Sequence, residues 1–269
     1  MRIACFQGPE QADTPEGNLA LLARVAKEAR NGGAQLLVAP ELFLTGYAIG
    51  AAAVRRLAEP LDGPSLGAAC RIARSEGIAL VFGFPERAGD IVYNSAVAIS
   101  AGGSVLASYR KTHLFGDVDR EQFSPGAGQP QLFEIGGFKA GLLICYDVEF
   151  PENARVHALN GADLVIVPTA LMQPFDVVAR TIMPARAYEN QVFIAYVDRC
   201  GRETPFEYCG LSCVVGPDGT DLARAGRGEE LIFADLDRAA LDTSRRINSH
   251  LGDRRPELYS RLTEGTERS

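Results

Sequence analysis

A thiol, a carboxylate and an ammonium group can together break an acyl bond, and this sequence sets one of each directly after an apolar run. Cys145 follows Gly141-Leu142-Leu143-Ile144, Glu41 follows Leu36-Leu37-Val38-Ala39-Pro40, and Lys111 follows the Ser104–Arg110 stretch. Folds that mix strands and helices gather their reactive groups at strand ends. A thiol in such a place is often inert packing, but the setting of Cys145 differs from that of the other five cysteines. Tyr146, Asp147 and Glu149 lead straight from it into a helical stretch. A strand-to-helix elbow of that kind exposes a nucleophile and crowds it with backbone N–H donors for an oxyanion. A thiol also needs a base. The chain has three histidines. His157 falls in mid-helix and His250 in a charged tail, whereas His113, two residues after Lys111, could face the same side of an extended segment. Glu41 is the rival base: a carboxylate just after an apolar strand and a proline loses solvation, which raises its pKa towards a useful range. The same position would also suit a helix-capping or salt-bridging acid, so both pairings stand on the residues alone. Lys111 has aromatic and apolar neighbours in Tyr109 and Leu114-Phe115, unusual company for a solvated lysine. A cation held there would stabilise a developing oxyanion and bias the Cys/Glu pair. Cys209 and Cys213 flank Gly210 and could share a face, but with no second pair and so few histidines they do not make a metal site.

The elements that must position these groups follow from the apolar period, which switches repeatedly between strand-like and helix-like. Strands are predicted over Arg2–Gln7, Gln35–Ala39, Ala79–Phe84, Tyr93–Ile99, Ser104–Arg110, Gln131–Ile135, Lys139–Ile144, Asp163–Val167, Phe193–Asp198, Ser212–Val215 and Leu231–Asp235. Helices are predicted over Asn18–Arg30, over Ser65–Glu76 with Ser65 as N-cap, over Glu152–Asn160, and over Val177–Asn190 with a kink or break at Pro184. Pro217-Asp218-Gly219 reads as the turn between the last two strands. Beyond Asp237 the chain is charged and irregular and is expected on the surface or on a partner subunit. The alternation runs the whole length without a repeat of 20–50 residues, so the expected class is α/β with two packed sheets covered by helices.

The bulk composition narrows the function classes. A net charge of -7 argues against a partner that presents a phosphate backbone. The apolar runs are too short and interrupted to span a membrane. Met1–Glu10 enters a strand pattern directly and lacks the features of an export signal. Six cysteines in such a chain are expected as free thiols in the cytoplasm.

Three segments resemble the nitrilase, or carbon–nitrogen hydrolase, superfamily. Ala39–Tyr47 is similar to its glutamate motif, Tyr109–Phe115 to its lysine motif, and Gly141–Asp147 with Phe150-Pro151-Glu152 to its cysteine motif, in the family's order. Val167–Ala170, Arg186–Asn190 and Gly216–Gly219 add further matches, and coverage runs from Met1 to about Asp237. The resemblance implies an α/β fold with a four-layer αββα sandwich in residues 1–237, a C-terminal extension over 238–269, and assembly as a homodimer or larger. It implies Glu41 as base, Lys111 as oxyanion partner and Cys145 as nucleophile, with no cofactor and no metal. Many members carry a second glutamate a fixed step before a Pro-Gly. Counted back from Pro125-Gly126 that place belongs to Asp119, expected to orient Lys111 and substrate, with Glu121 as the alternative. Tyr47, Tyr146 and the Ala170–Phe175 loop are expected as pocket walls, and Arg186 and Glu189 as a structural ion pair bracing the site. Within the superfamily the chain is most similar to 5-aminovaleramidases and R-stereoselective amidases. The substrate is then a small carboxamide, best guessed as 5-aminopentanamide. A nitrilase, an N-carbamoyl amino-acid hydrolase and a non-catalytic assembly subunit are the alternatives.

Overall fold

The computed structural model describes residues 1–9, 14–128 and 131–264. Its strands are β1 (Arg2–Gln7), β2 (Leu36–Val38), β3 (Ala79–Ala88), β4 (Ile91–Ile99), β5 (Val105–Arg110), β6 (Phe133–Ile135), β7 (Phe138–Leu142), β8 (Leu164–Pro168), β9 (Phe193–Val197), β10 (Arg202–Glu203), β11 (Phe206–Glu207), β12 (Cys213–Val215), β13 (Asp221–Arg224) and β14 (Glu230–Asp235). Its helices are α1 (Pro15–Asn31), α2 (Ala51–Leu57), α3 (Pro64–Glu76), α4 (Gly116–Arg120), α5 (Pro151–Leu159), α6 (Met183–Asn190) and α7 (Arg238–Ile247). One six-stranded sheet has the order β14-β1-β2-β3-β4-β5, the other β13-β12-β9-β8-β7-β6, and β10 and β11 form a separate small hairpin.

Alternation along β1 shows how the layers arise. Ile3 and Cys5 point into the core shared by the two sheets, whereas Ala4 and Phe6 join Leu22, Val25, Ala26, Leu66, Ala69 and Ala73 beneath α1 and α3. Met183 and Ala187 of α6 are buried where that helix packs on β9 and β12 of the second sheet. The result is the expected four-layer αββα sandwich. In the first sheet β1, β2 and β3 run parallel, and in the second β7, β8 and β9 do. Because β4 and β5 each reverse direction, β5 ends at the same edge of the sandwich as β2. The C-terminal ends of β2, β5, β7, β8 and β9 therefore converge.

Several local expectations change. Ser65 lies inside α3 rather than capping it; Gly63 is the N-cap, and the Glu59 carboxylate accepts from both the Ser65 amide and hydroxyl at 2.8 Å. Pro217-Asp218-Gly219 turns from β12 into β13, a short exposed strand whose polar pattern hid it. Pro184 does divide its segment, into a π-helical turn over Val178–Ile182 and α6. The tail is not irregular throughout. Residues 238–247 form α7, capped by the Asp237 side chain, anchored by Leu241 alone and tied by Arg238 and Arg245 to Asp163. A helix with one buried apolar residue leaves almost no periodic signal. The same reason accounts for α2, which buries only Val54.

Candidate active site

Glu41 sits in the turn that ends β2. Its backbone is pinned against β3: the Ala39 amide donates to Val81 at 2.8 Å and the Gly83 amide to Pro40 at 2.9 Å. That approach is close enough to require glycine at 83, where a Cβ would stand 2.3 Å from the Leu42 nitrogen and 2.7 Å from the Glu41 Cα. Leu42 takes a left-handed conformation (φ 47°), and the buried Arg199 guanidinium reaches the carbonyls of Glu41 and Leu42 at 3.5 and 3.4 Å. A strained turn held from two sides keeps the carboxylate fixed.

Lys111 leaves the end of β5, where its amide donates to the Asn94 carbonyl on β4 at 2.8 Å. Its ammonium is wholly buried between two acids, 2.8 Å from Glu41 Oε1 and 2.7 Å from Asp119 Oδ2. The Asn94 side-chain Nδ2 donates to the same Glu41 oxygen at 2.6 Å. Asp119, on α4, also accepts from the Tyr47 hydroxyl at 2.8 Å and the Phe115 amide at 2.9 Å. The other Glu41 oxygen, Oε2, is buried and has no hydrogen-bond partner among the described residues.

Cys145 stands at the predicted elbow. After β7 the chain enters a 3-10 turn over Cys145–Glu149 and then α5, and Cys145 itself has φ 46°. Asp147 locks the elbow to the lysine loop. One of its oxygens accepts from the amide and hydroxyl of Thr112 and the amide of His113, and the other from the Tyr109 hydroxyl and the Ile144 amide. The thiol faces a cavity of about 250 Å³ lined by Tyr47, Phe115, Tyr146, Glu149, Ala170, Leu171, Met172 and Phe175. Asp198, at the end of β9, holds one wall by accepting from the Leu171 amide at 2.7 Å.

The electrostatics follow from burial. Desolvation pushes the Glu41 carboxyl up; Lys111 pulls it down, and Asp119 raises it again. Burial and the Glu41 charge raise the Cys145 thiol well above its usual range, against Lys111 and a backbone hydrogen bond from Ala170. Burial alone would lower Lys111, but Asp119 and Glu41 hold it well above an ordinary lysine. A neutral thiol beside a carboxylate with an uncommitted oxygen, and an ammonium with one N–H left over, can begin a covalent acyl transfer.

Residues 2–246 match the carbon-nitrogen hydrolase family profile. The chain belongs to that family. A Pseudomonas protegens protein named hydrolase in pqqF 5'region is 50% identical, covering 98% of this chain and 92% of the relative. An (R)-stereoselective amidase of Pseudomonas sp. is 40% identical over 87% of this chain and 84% of its own. Among solved structures, the NitN amidase of Nesterenkonia sp. AN1 superposes with a TM-score of 0.84 at 37% identity, covering 97% of this chain and 99% of the other. A glutamate-to-glutamine variant of that amidase carries acrylamide added at its active-site cysteine.

This carbon–nitrogen hydrolase brings together seven of the residues singled out from sequence and leaves out Glu121 and His113. Glu41, Lys111 and Asp119 form one buried cluster, and Cys145, Tyr47, Tyr146 and Ala170 share the adjoining cavity. Glu121 is exposed, so Asp119 is the acid that meets Lys111. His113 is turned to other work: its Nδ1 lies 3.0 Å from Asp147 and its ring stacks on Phe150 at 4.1 Å. Arg186 pairs with Glu189 at 3.1 Å, as expected, and also donates to the carbonyls of Val148 and Glu149. Sequence reasoning missed Asn94, Asp147, Asp198, Arg199 and Glu149. A polar Asn94-Ser95 pair inside an apolar strand was the signal for the first, and an acid two residues past the thiol for the second. Nothing local marks Asp198 or Arg199.

Proposed function

We propose that the hydrolase cleaves a small carboxamide to the carboxylic acid and ammonia through a thioester on Cys145, with 5-aminopentanamide as substrate. The reading rests above all on one observation: a thiol opening into a largely apolar cavity beside a buried lysine that two carboxylates share. Glu41 takes the Cys145 proton at Oε2, and the sulfur attacks the amide carbon. Lys111 Nζ, through its remaining N–H, and the Tyr146 backbone N–H hold the tetrahedral oxyanion. Glu41 returns the proton to the leaving nitrogen and ammonia departs. A water then gives its proton to Glu41 and its oxygen to the thioester, releasing the acid and restoring the thiol. Asp119 orients Lys111 and, through Tyr47, one wall of the cavity.

The small cavity suits a short acyl chain, and similarity to an (R)-stereoselective amidase supports an amide substrate. Among the described residues lining it there is no arginine or lysine to clamp a substrate carboxylate, which disfavours N-carbamoyl amino acids. The test is ammonia release from 5-aminopentanamide, plain aliphatic amides, nitriles and N-carbamoyl amino acids. Cys145→Ala is expected to abolish turnover and keep the fold, since it removes only a sulfur. Amidase activity surviving in that variant would refute the mechanism, and nitrile turnover exceeding amide turnover would refute the substrate class.

A further inference from the structure

We propose that the Glu149 carboxylate receives a positively charged group at the far end of the substrate and thereby selects ω-ammonium amides over neutral ones. The proposal rests on the amidase reading above and adds a residue that reads the substrate's charge. Glu149 closes the 3-10 turn that Cys145 opens, and both line the same cavity. At about 2 Å of rise per residue the two positions are roughly 8 Å apart along the turn. A short aliphatic chain spans that gap from a carbonyl carbon at the sulfur to an ammonium at the carboxylate.

The rest of the cavity lining carries no formal charge when the thiol is neutral: Tyr47, Phe115, Tyr146, Leu171, Met172 and Phe175 provide rings and apolar surface. Phe115 meets Tyr146 and Phe175 edge-on, with ring centroids 5.3 and 6.0 Å apart. Aromatic faces beside a carboxylate favour an organic cation. Among the described residues the Glu149 side chain makes no hydrogen bond and no ion pair. The nearby cations are committed elsewhere, Arg186 to the Val148 and Glu149 carbonyls and to Glu189, Lys111 to Glu41 and Asp119. Burial raises the Glu149 carboxyl above its ordinary value despite those two charges. A half-buried acid in an aromatic cavity is costly without a counter-ion, and a substrate ammonium would supply one. The same charge repels an amide that carries a carboxylate at that end.

The experiment compares kcat/KM for 5-aminopentanamide, pentanamide and glutaramate in the wild type and in Glu149→Gln. The wild type is expected to prefer the cationic amide over pentanamide by about 10- to 100-fold and to discriminate most against glutaramate. In Glu149→Gln the preference over pentanamide should shrink to about threefold or less, mainly through a higher KM for 5-aminopentanamide. A preference unchanged in the variant, or absent from the wild type, overturns the proposal while leaving the amidase reading intact. A wild type that hydrolyses no amide overturns the amidase reading itself. Calorimetric binding to Cys145→Ala, with and without Glu149→Gln, gives a readout independent of turnover. The double variant should bind 5-aminopentanamide at least about tenfold more weakly, and equal affinity would overturn the proposal. If the glutamine form does not fold, Glu149→Met is judged by the same criteria.

Discussion

Gly83 bears no reactive group, yet replacing it with alanine should disable the enzyme. The added Cβ would lie 2.3 Å from the Leu42 nitrogen, 2.7 Å from the Glu41 Cα and 2.8 Å from its carbonyl carbon. All three are backbone atoms, so no side chain can swing aside. Ordinary contact begins near 3.4 Å, and β3 must therefore part from the Glu41 turn by about 1 Å. The Gly83–Pro40 hydrogen bond at 2.9 Å stretches with it, and Glu41 moves away from Lys111, Asn94 and the thiol. Overpacking of this size costs about 1–3 kcal/mol, or roughly 2–10 °C in Tm for a chain of this length. A displacement of about 1 Å in a reacting group costs on the order of 100-fold in rate. The assays are thermal unfolding, kcat/KM by ammonia release, and alkylation of Cys145 to show that the thiol is present. Gly67→Ala is the control. Gly67 lies in α3, an added Cβ would meet only the end of Arg71, and removing a helical glycine should raise stability by about 0.5–1 kcal/mol without touching activity. A Gly83→Ala enzyme with wild-type kcat/KM would refute the claim that this contact positions the base.

Two further predictions concern charge. Glu41 must be ionised to take the thiol proton, and burial raises its pKa, so activity should fall as pH drops through a value above the ordinary glutamate value of about 4.3. A kcat/KM profile whose acid limb lies at or below that value would contradict Glu41 as base. Lys111→Met should abolish turnover and, by leaving Glu41 and Asp119 buried without their cation, cost about 3–5 kcal/mol of stability. Because Glu41, already raised by burial, can then take up a proton, the loss should be smaller near about pH 5 than near about pH 8 in urea unfolding. A loss that does not depend on pH would show that packing, not charge, dominates at this position.

How much of this was legible in the sequence differs residue by residue. Cys145, Glu41 and Lys111 could be picked out because each ends an apolar run, and strand ends are where the sandwich converges. Long periodic elements such as α1 were legible for the same reason, since five buried residues repeat along its core face. What escaped depends on partners distant in the chain. Asn94 matters only because the β4–β5 register sets it beside Lys111, and Arg199 because β9 ends opposite the Glu41 turn. The distance of Glu149 from Cys145 could be counted, but whether its side chain enters the cavity is decided by a 3-10 turn that Arg186 grips from another helix. Short or charged elements, α2, α4 and α7, bury too little apolar surface to leave a pattern.

The pairing of two acids with one lysine explains why each acid has its own task. Two buried carboxylates share a single ammonium, and the hydrogen bonds divide unevenly. Asp119 receives Lys111, the Tyr47 hydroxyl and the Phe115 amide across both of its oxygens. Glu41 receives Lys111 and Asn94 on one oxygen and, among the described residues, nothing on the other. Oε2 of Glu41 is thus the oxygen in the cluster open to a proton, beside a thiol that burial keeps neutral. On the proposed mechanism, asymmetry of hydrogen bonding, rather than residue type, separates the acid that holds the lysine from the acid that moves a proton. On this argument an aspartate suffices at position 119, because that position has to hold Lys111 in place and never has to reach the thiol.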